Sequence, residues 1–157
     1  MTRIAAMILA ALAAHPVIAQ QADAAQSEAA AEAAEESIIR DGTDASLEEF
    51  RWVARPVVVF ADSPNDPRFV QQMEELRARE AALAERDVVV LTDTDPSARS
   101  DLRRELRPRG FMLAIIGKDG TIIARKPLPW DVREITRSID KQPLRQQEIR
   151  DQSAGPR

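Results

Sequence analysis

Val57-Val58-Val59-Phe60, running into Ala61-Asp62-Ser63-Pro64-Asn65-Asp66-Pro67, is the stretch that decides how this chain folds. A run of consecutive apolar residues suits a strand covered on both faces better than one with a face in water. Asp66 suits a helix N-cap and Pro67 the first helical position, so a helix is expected to open directly after the loop. Phe69, Met73, Leu76 and Leu83 recur at helical spacing and predict the buried stripe of that helix. A covered strand, a short loop and an amphipathic helix make the first half of an α/β unit.

The same device repeats downstream. Asp87 to Leu91 predicts a second buried strand, ending at Thr92-Asp93-Thr94, and Asp95-Pro96 is placed to open a second helix with Ala98, Leu102 and Leu106 inward. Pro108 and Gly110 stop it. Phe111 to Ile116 predicts a third strand, and the tight turn Gly117-Lys118-Asp119-Gly120 leads to a fourth at residues 121–124. A last helix is expected from Asp131, with Glu134 set for a capping box and Val132, Ile135 and Ile139 buried. The order is β-α-β-α-β-β-α. Helix crossovers predict parallel pairing and the short turn an antiparallel hairpin. The expected fold is α/β, a mixed four-stranded sheet with helices on both faces.

The flanks read differently. Arg3, the apolar run Ile4 to Ala14 and the small residues Val17-Ile18-Ala19 have the form of a signal peptide, residues 1–19, with cleavage near Ala19. A membrane span needs about 20 apolar residues, more than this run supplies before His15-Pro16, so none is expected after leader cleavage. The expected location is periplasmic or secreted. Residues 20–46 carry seven acidic side chains against one basic, Arg40, and read as an Ala/Glu-rich acidic linker. From Leu47 onward twenty basic residues balance nineteen acidic ones, which gives no reason to expect nucleic-acid binding. The folded domain is expected over residues 47–142, with residues 143–157 a frayed polar tail.

Two features resemble the thioredoxin fold family in detail. The loop between the first strand and helix lies where a thioredoxin places Cys-x-x-Cys, and Pro64 and Pro67 hold those two positions. Phe111 to Gly120 looks like the strand and turn after the cis-proline loop, with Met112 in the cis-proline position. The stretch from Leu47 to Arg150 further resembles a family of exported bacterial proteins, the domain of unknown function DUF4174. The resemblance is carried by Arg51-Trp52, Arg55-Pro56, Asp87 to Pro96, Arg109-Gly110-Phe111, Gly117-Lys118-Asp119-Gly120 and Pro129 to Ile135. It implies a thioredoxin- or peroxiredoxin-like core and brings no catalytic residue with it.

Composition narrows the chemistry. There is no cysteine and no tyrosine, and the single histidine, His15, lies in the expected leader. Thiol redox chemistry, cysteine nucleophiles, histidine-based triads and the usual zinc sites are therefore excluded from the mature chain. No cofactor and no catalytic residue is expected. Asp93 and Asp95, after an apolar strand, allow one enzymatic alternative, a Mg²⁺-assisted phosphohydrolase, against the plainer reading in which Asp95 caps a helix and Asp93 orders the loop. Trp52 and Trp130 read as packing elements. The first expectation is a non-catalytic domain that binds a protein or envelope component. Its contacts would be Ser63, Pro64 and Asn65 in one loop and Arg107, Arg109 and Met112 in another, because open α/β sheets bind ligands outside strand ends.

Overall fold

The computed structural model describes residues 37–154. The expected leader, its cleavage point near Ala19 and residues 20–36 of the expected linker lie outside the described residues. Five strands form one sheet: β1 (Ile39–Asp41), β2 (Arg55–Phe60), β3 (Val88–Asp93), β4 (Met112–Ile116) and β5 (Ile122–Lys126), in the order β1-β3-β2-β4-β5. The helices are α1 (Pro67–Arg77), α2 (Glu80–Ala84), α3 (Asp101–Leu106), α4 (Val132–Asp140) and α5 (Pro143–Ala154). None is long and apolar enough to cross a membrane among the described residues.

The central strand behaves as its composition requires. Every residue of β2 is buried, and alternation sends its side chains to two separate cores. Val57 and Val59 pack with Met73, Leu76, Leu83, Ile135 and Ile139, so α1, α2 and α4 cover one face. Val58 and Phe60 pack with Leu91, Leu102, Leu106 and Ile116, so α3 covers the other. The sheet is mixed: β2 runs parallel to β3, while β4 is antiparallel to both β2 and β5.

Five strands replace the expected four. β1 lies in the segment read as linker and pairs parallel with β3, placing Ile39 opposite Val90. Three residues suffice because the edge of β3 offers open backbone groups, and Ile38 and Ile39 pack against the core. The Gly42 N–H donates to the Thr92 carbonyl at 2.8 Å. A Cβ on Gly42 would meet Leu102 Cδ1 at 2.9 Å and Leu91 Cβ at 3.1 Å, so any larger residue here would require the Leu102 side chain to shift.

The second crossover does not give the expected parallel return. A six-residue helix such as α3 advances about 9 Å, whereas a six-residue strand such as β3 spans about 20 Å. The helical part of this crossover does not retrace the length of β3, and β4 begins at the end where β3 finished and runs antiparallel to β2. The expected single helix after Asp95-Pro96 is likewise two pieces. Asp95 Oδ1 accepts from the Ser97 N–H at 2.8 Å and caps only a 3₁₀ turn at Pro96–Ala98. Arg99 then adopts a left-handed conformation, φ 49°, and Ser100 caps α3 through its hydroxyl, which accepts from the Arg103 N–H at 3.1 Å. Leu102 and Leu106 are buried as expected, and Ala98 is exposed. Glu134 pairs with Arg137 at 2.7 Å, while Asp131 alone caps α4 by accepting from the Arg133 N–H.

The polar tail forms α5 through residue 154, without an apolar stripe of its own. Charge docks it. Arg55, 1% exposed at the start of β2, donates to Glu148 at 2.8 Å and to the Arg86 carbonyl at 2.9 Å. Lys118 and Arg145 reach the same Glu148 carboxylate at 3.2 and 3.1 Å, and Arg145 also donates to the Glu85 carbonyl. Burial acts to raise the Glu148 pKa, but the hydrogen bonds from Arg55, Arg145 and Lys118 outweigh it and bring it down to about 2.

Candidate functional site

The antiparallel return of β4 creates the site. Phe60, the last residue of β2, lies opposite Met112, the first of β4, so the loops at residues 61–66 and 107–111 emerge at one end of the sheet. In the first loop the Asn65 N–H donates to Ser63 Oγ at 3.2 Å, and the Asp66 N–H to the Ser63 carbonyl at 3.2 Å. Asp66 caps α1 by accepting from the Arg68 N–H at 2.9 Å, with Pro67 as the first helical residue. The Arg68 guanidinium beside Asp66 holds that carboxyl below its ordinary range. Pro64 is exposed in the loop.

In the second loop Arg107 ends α3 in a left-handed conformation, φ 51°, its N–H donating to the Arg103 carbonyl at 2.9 Å. Gly110 also has positive φ, 65°, and a Cβ there would meet only Asp62 Oδ2, at 3.8 Å. Arg68 stacks over the buried Phe111 ring at 5.5 Å. The two loops are thus neighbours, but they present different surfaces. Ser63 and Asn65 share theirs with Asp62 and Asp66. Arg107, Arg109 and Met112 line a separate cleft of about 260 Å³ with Phe111, Arg125, Lys126 and Pro127.

Arg125 and Lys126 were missed in the sequence. They stand at the end of β5, and the hairpin register places them across from Ala114 and Leu113. Ala124-Arg125-Lys126-Pro127 marks paired cations at a strand end, yet nothing local tells that the turn folds them back beside Arg109. The cleft holds four cations and no carboxylate. Lys126 lies over the Trp130 ring at 4.2 Å, and none of the four forms an ion pair among the described residues.

Asp93 and Asp95 have structural work. Asp93 is buried at the end of β3: its Oδ1 accepts from Arg103 Nε at 2.8 Å and from the Asp95 N–H at 3.2 Å, and its Oδ2 accepts from the Ser100 hydroxyl. Arg103 donates onward to the carbonyls of Ala61 and Asp93, at 2.6 and 3.1 Å, and lies over the Phe60 ring. Asp95 Oδ1 accepts from both the amide and the hydroxyl of Ser97, which holds its carboxyl below its ordinary range. Three protein donors thus fill most of the lone-pair positions of Asp93, and the Arg103 guanidinium meets its charge, both of which disfavour a cation or attack on phosphorus there. The geometry gives the phosphohydrolase alternative no support.

The family model of the domain of unknown function DUF4174 matches residues 46–148. The chain belongs to this family. No curated protein matches it. Among solved structures, this DUF4174 chain is similar to the reduced 2-Cys peroxiredoxin of Plasmodium vivax, at 16% identity and a TM-score of 0.51, over 66% of this chain and 84% of that one. The mitochondrial 2-Cys peroxiredoxin of Plasmodium falciparum also matches, at 16% identity and a TM-score of 0.42, over 60% of this chain and 78% of that one. At such identity the Plasmodium vivax likeness shows the fold alone, which is thioredoxin-like. The positions given to thiols in that reading hold Pro64 and Pro67, and the chain contains no cysteine.

Proposed function

We propose that this DUF4174 protein is an exported, non-catalytic binding domain that takes an acidic segment of a protein or envelope component. The observation that carries this reading is the cleft of Arg107, Arg109, Arg125 and Lys126 around Phe111 and Met112, at the sheet end where open α/β folds bind. Four cations without carboxylate partners among the described residues favour an anionic occupant, and the apolar floor favours one with a side chain to bury. Loop 61–66 stands beside the cleft on a separate surface, and Pro64 within it and Pro67 after it lower the ordering cost of any contact made there. Rim charges of this kind act largely through association rate, so binding should weaken as salt rises.

A fluorescent glutamate-rich peptide titrated into the full mature protein tests the cleft. Arg109→Glu together with Arg125→Glu should weaken binding by about tenfold or more, since each removes one attraction and adds one repulsion. The melting temperature should stay unchanged, because both side chains are exposed. Equal affinity in the variant and the parent at low salt, or binding indifferent to salt, would remove the cleft from consideration. Export has its own check. Protein recovered from the envelope should begin at Gln20, and a chain still starting at Met1 would contradict leader cleavage.

A further inference from the structure

The other end of the sheet carries a second cleft. Trp52, expected as a packing element, is 66% exposed, and its backbone is left-handed with φ 64°. A bulky residue is disfavoured there, and such a conformation persists only where its surroundings over-determine it. The surroundings do so: the Trp52 N–H donates to the Lys118 carbonyl at 2.7 Å, and the N–H groups of Val53 and Ala54 both donate to the Phe50 carbonyl. The indole is held at the lip of a cleft of about 400 Å³, a size suited to a small ligand.

The lining describes the ligand. Arg55 and Lys118 reach the cleft, but Glu148 and Asp87 already meet their charges, at 2.8 Å and 2.7 Å. Asp119 and Arg150 oppose each other in sign, so the cleft selects no net charge. What it offers is one flat aromatic face, the apolar Leu144, the Gln147 amide, and the Asp119 carboxylate, whose Oδ1 already accepts from the Thr121 amide and hydroxyl and whose Oδ2 has no such donor among the described residues. A bare ion has no face to set on Trp52, and a purely aliphatic ligand would strand the polar groups without partners. A sugar ring has both an apolar C–H face and a rim of hydroxyls that donate and accept.

We propose that this cleft binds a neutral saccharide, with one ring stacked on Trp52 and its hydroxyls taken by Gln147, Asp119 and Arg150. The site lies at the opposite end of β2 and β4 from the basic cleft, and either can fail without the other.

Trp52 and Trp130 are the only tryptophans, so Trp130→Phe in the full mature chain makes Trp52 the sole reporter. Titration with chitotriose, maltotriose and cellotriose should give a saturable fluorescence change with at least one of them. Trp52→Gly, followed by calorimetry, should weaken that binding by about tenfold or more while the melting temperature holds or rises, because glycine accepts φ 64° without strain. Gln147→Ala, on the exposed face of α5, should weaken it several-fold at constant melting temperature. Absence of saturation with all three sugars, or undiminished binding by a folded Trp52→Gly protein, would overturn the proposal.

Discussion

Asp93→Ala should cost about 3–5 kcal/mol of folding stability. The carboxylate side chain is wholly buried, and its removal leaves the Arg103 guanidinium, only 11% exposed, with no counter-charge but the exposed Asp62 at 3.9 Å. The Ser100 hydroxyl loses its acceptor at the same time, and the Asp95 N–H loses another. Domains of this size are stable by about 5–15 kcal/mol, so the variant should sit near the edge of folding. Urea titration is the measurement. Asp93→Asn keeps the shape and an acceptor but not the charge, and should fall between the parent and Asp93→Ala. Adding Arg103→Met to Asp93→Ala should recover part of the loss, since the unpaired charge goes with it. A loss below about 1 kcal/mol in Asp93→Ala would mean that water or another acceptor replaces the carboxylate, and the network would not be what joins β2, β3 and α3.

Glu148→Gln should lower stability by about 2–3 kcal/mol at neutral pH, and the deficit should vanish in acid. The sign follows from the two protonation states. In the unfolded chain Glu148 takes a proton near its ordinary value of 4.5, whereas in the folded protein it holds its charge down to about 2. The unfolded state therefore binds more protons in that window, and stability contributed by the carboxylate is complete above pH 4.5 and lost as pH falls toward 2. Glutamine has no proton to take up, so its curve should converge on the parent curve below pH 4.5. Denaturant melts at successive pH values give the comparison. Parallel curves across that range would show that α5 is not held by the Glu148 charge. Because Arg55 and Lys118 also line the saccharide cleft, the same variant should loosen that wall.

Much of the fold was legible because burial leaves a local trace. Val57 to Phe60 suited a covered strand better than an exposed one, and Asp66-Pro67 announced α1 through side-chain chemistry that acts within a turn. The hairpin between β4 and β5 was written in Gly117 to Gly120, where Gly120 adopts φ 83°. β1 left no such trace. Ile39-Arg40-Asp41 has no length and no alternation to speak for it, and it is a strand only because β3 presents an open edge beside it. α5 was missed for a related reason: its polar composition lacks an apolar stripe, and its docking rests on Glu148 meeting Arg55, 93 residues earlier in the chain, and on Arg145 reaching the Glu85 carbonyl, 60 residues earlier.

The candidate sites divide in the same way. Arg107, Arg109 and Met112 could be singled out from a loop at a strand end, but not the company they keep. Arg125 and Lys126 complete the basic cleft from the far arm of a hairpin, and Ser63 and Asn65 turn out to share a surface with acids instead. Trp52 read as packing because tryptophans usually are packed; its exposure depends on a left-handed turn set by Lys118 and Phe50.

The sequence by itself determined the covered strands, the Asp66 and Asp131 helix caps and the absence of thiol chemistry, since residue type settles each of these within a few positions. Tertiary structure alone decided the direction of β4, the fifth strand, the docking of α5 and the membership of both clefts. Those depend on how far a six-residue helix can carry the chain and on which distant charges come within hydrogen-bond reach, and neither is a property of any short stretch of residues.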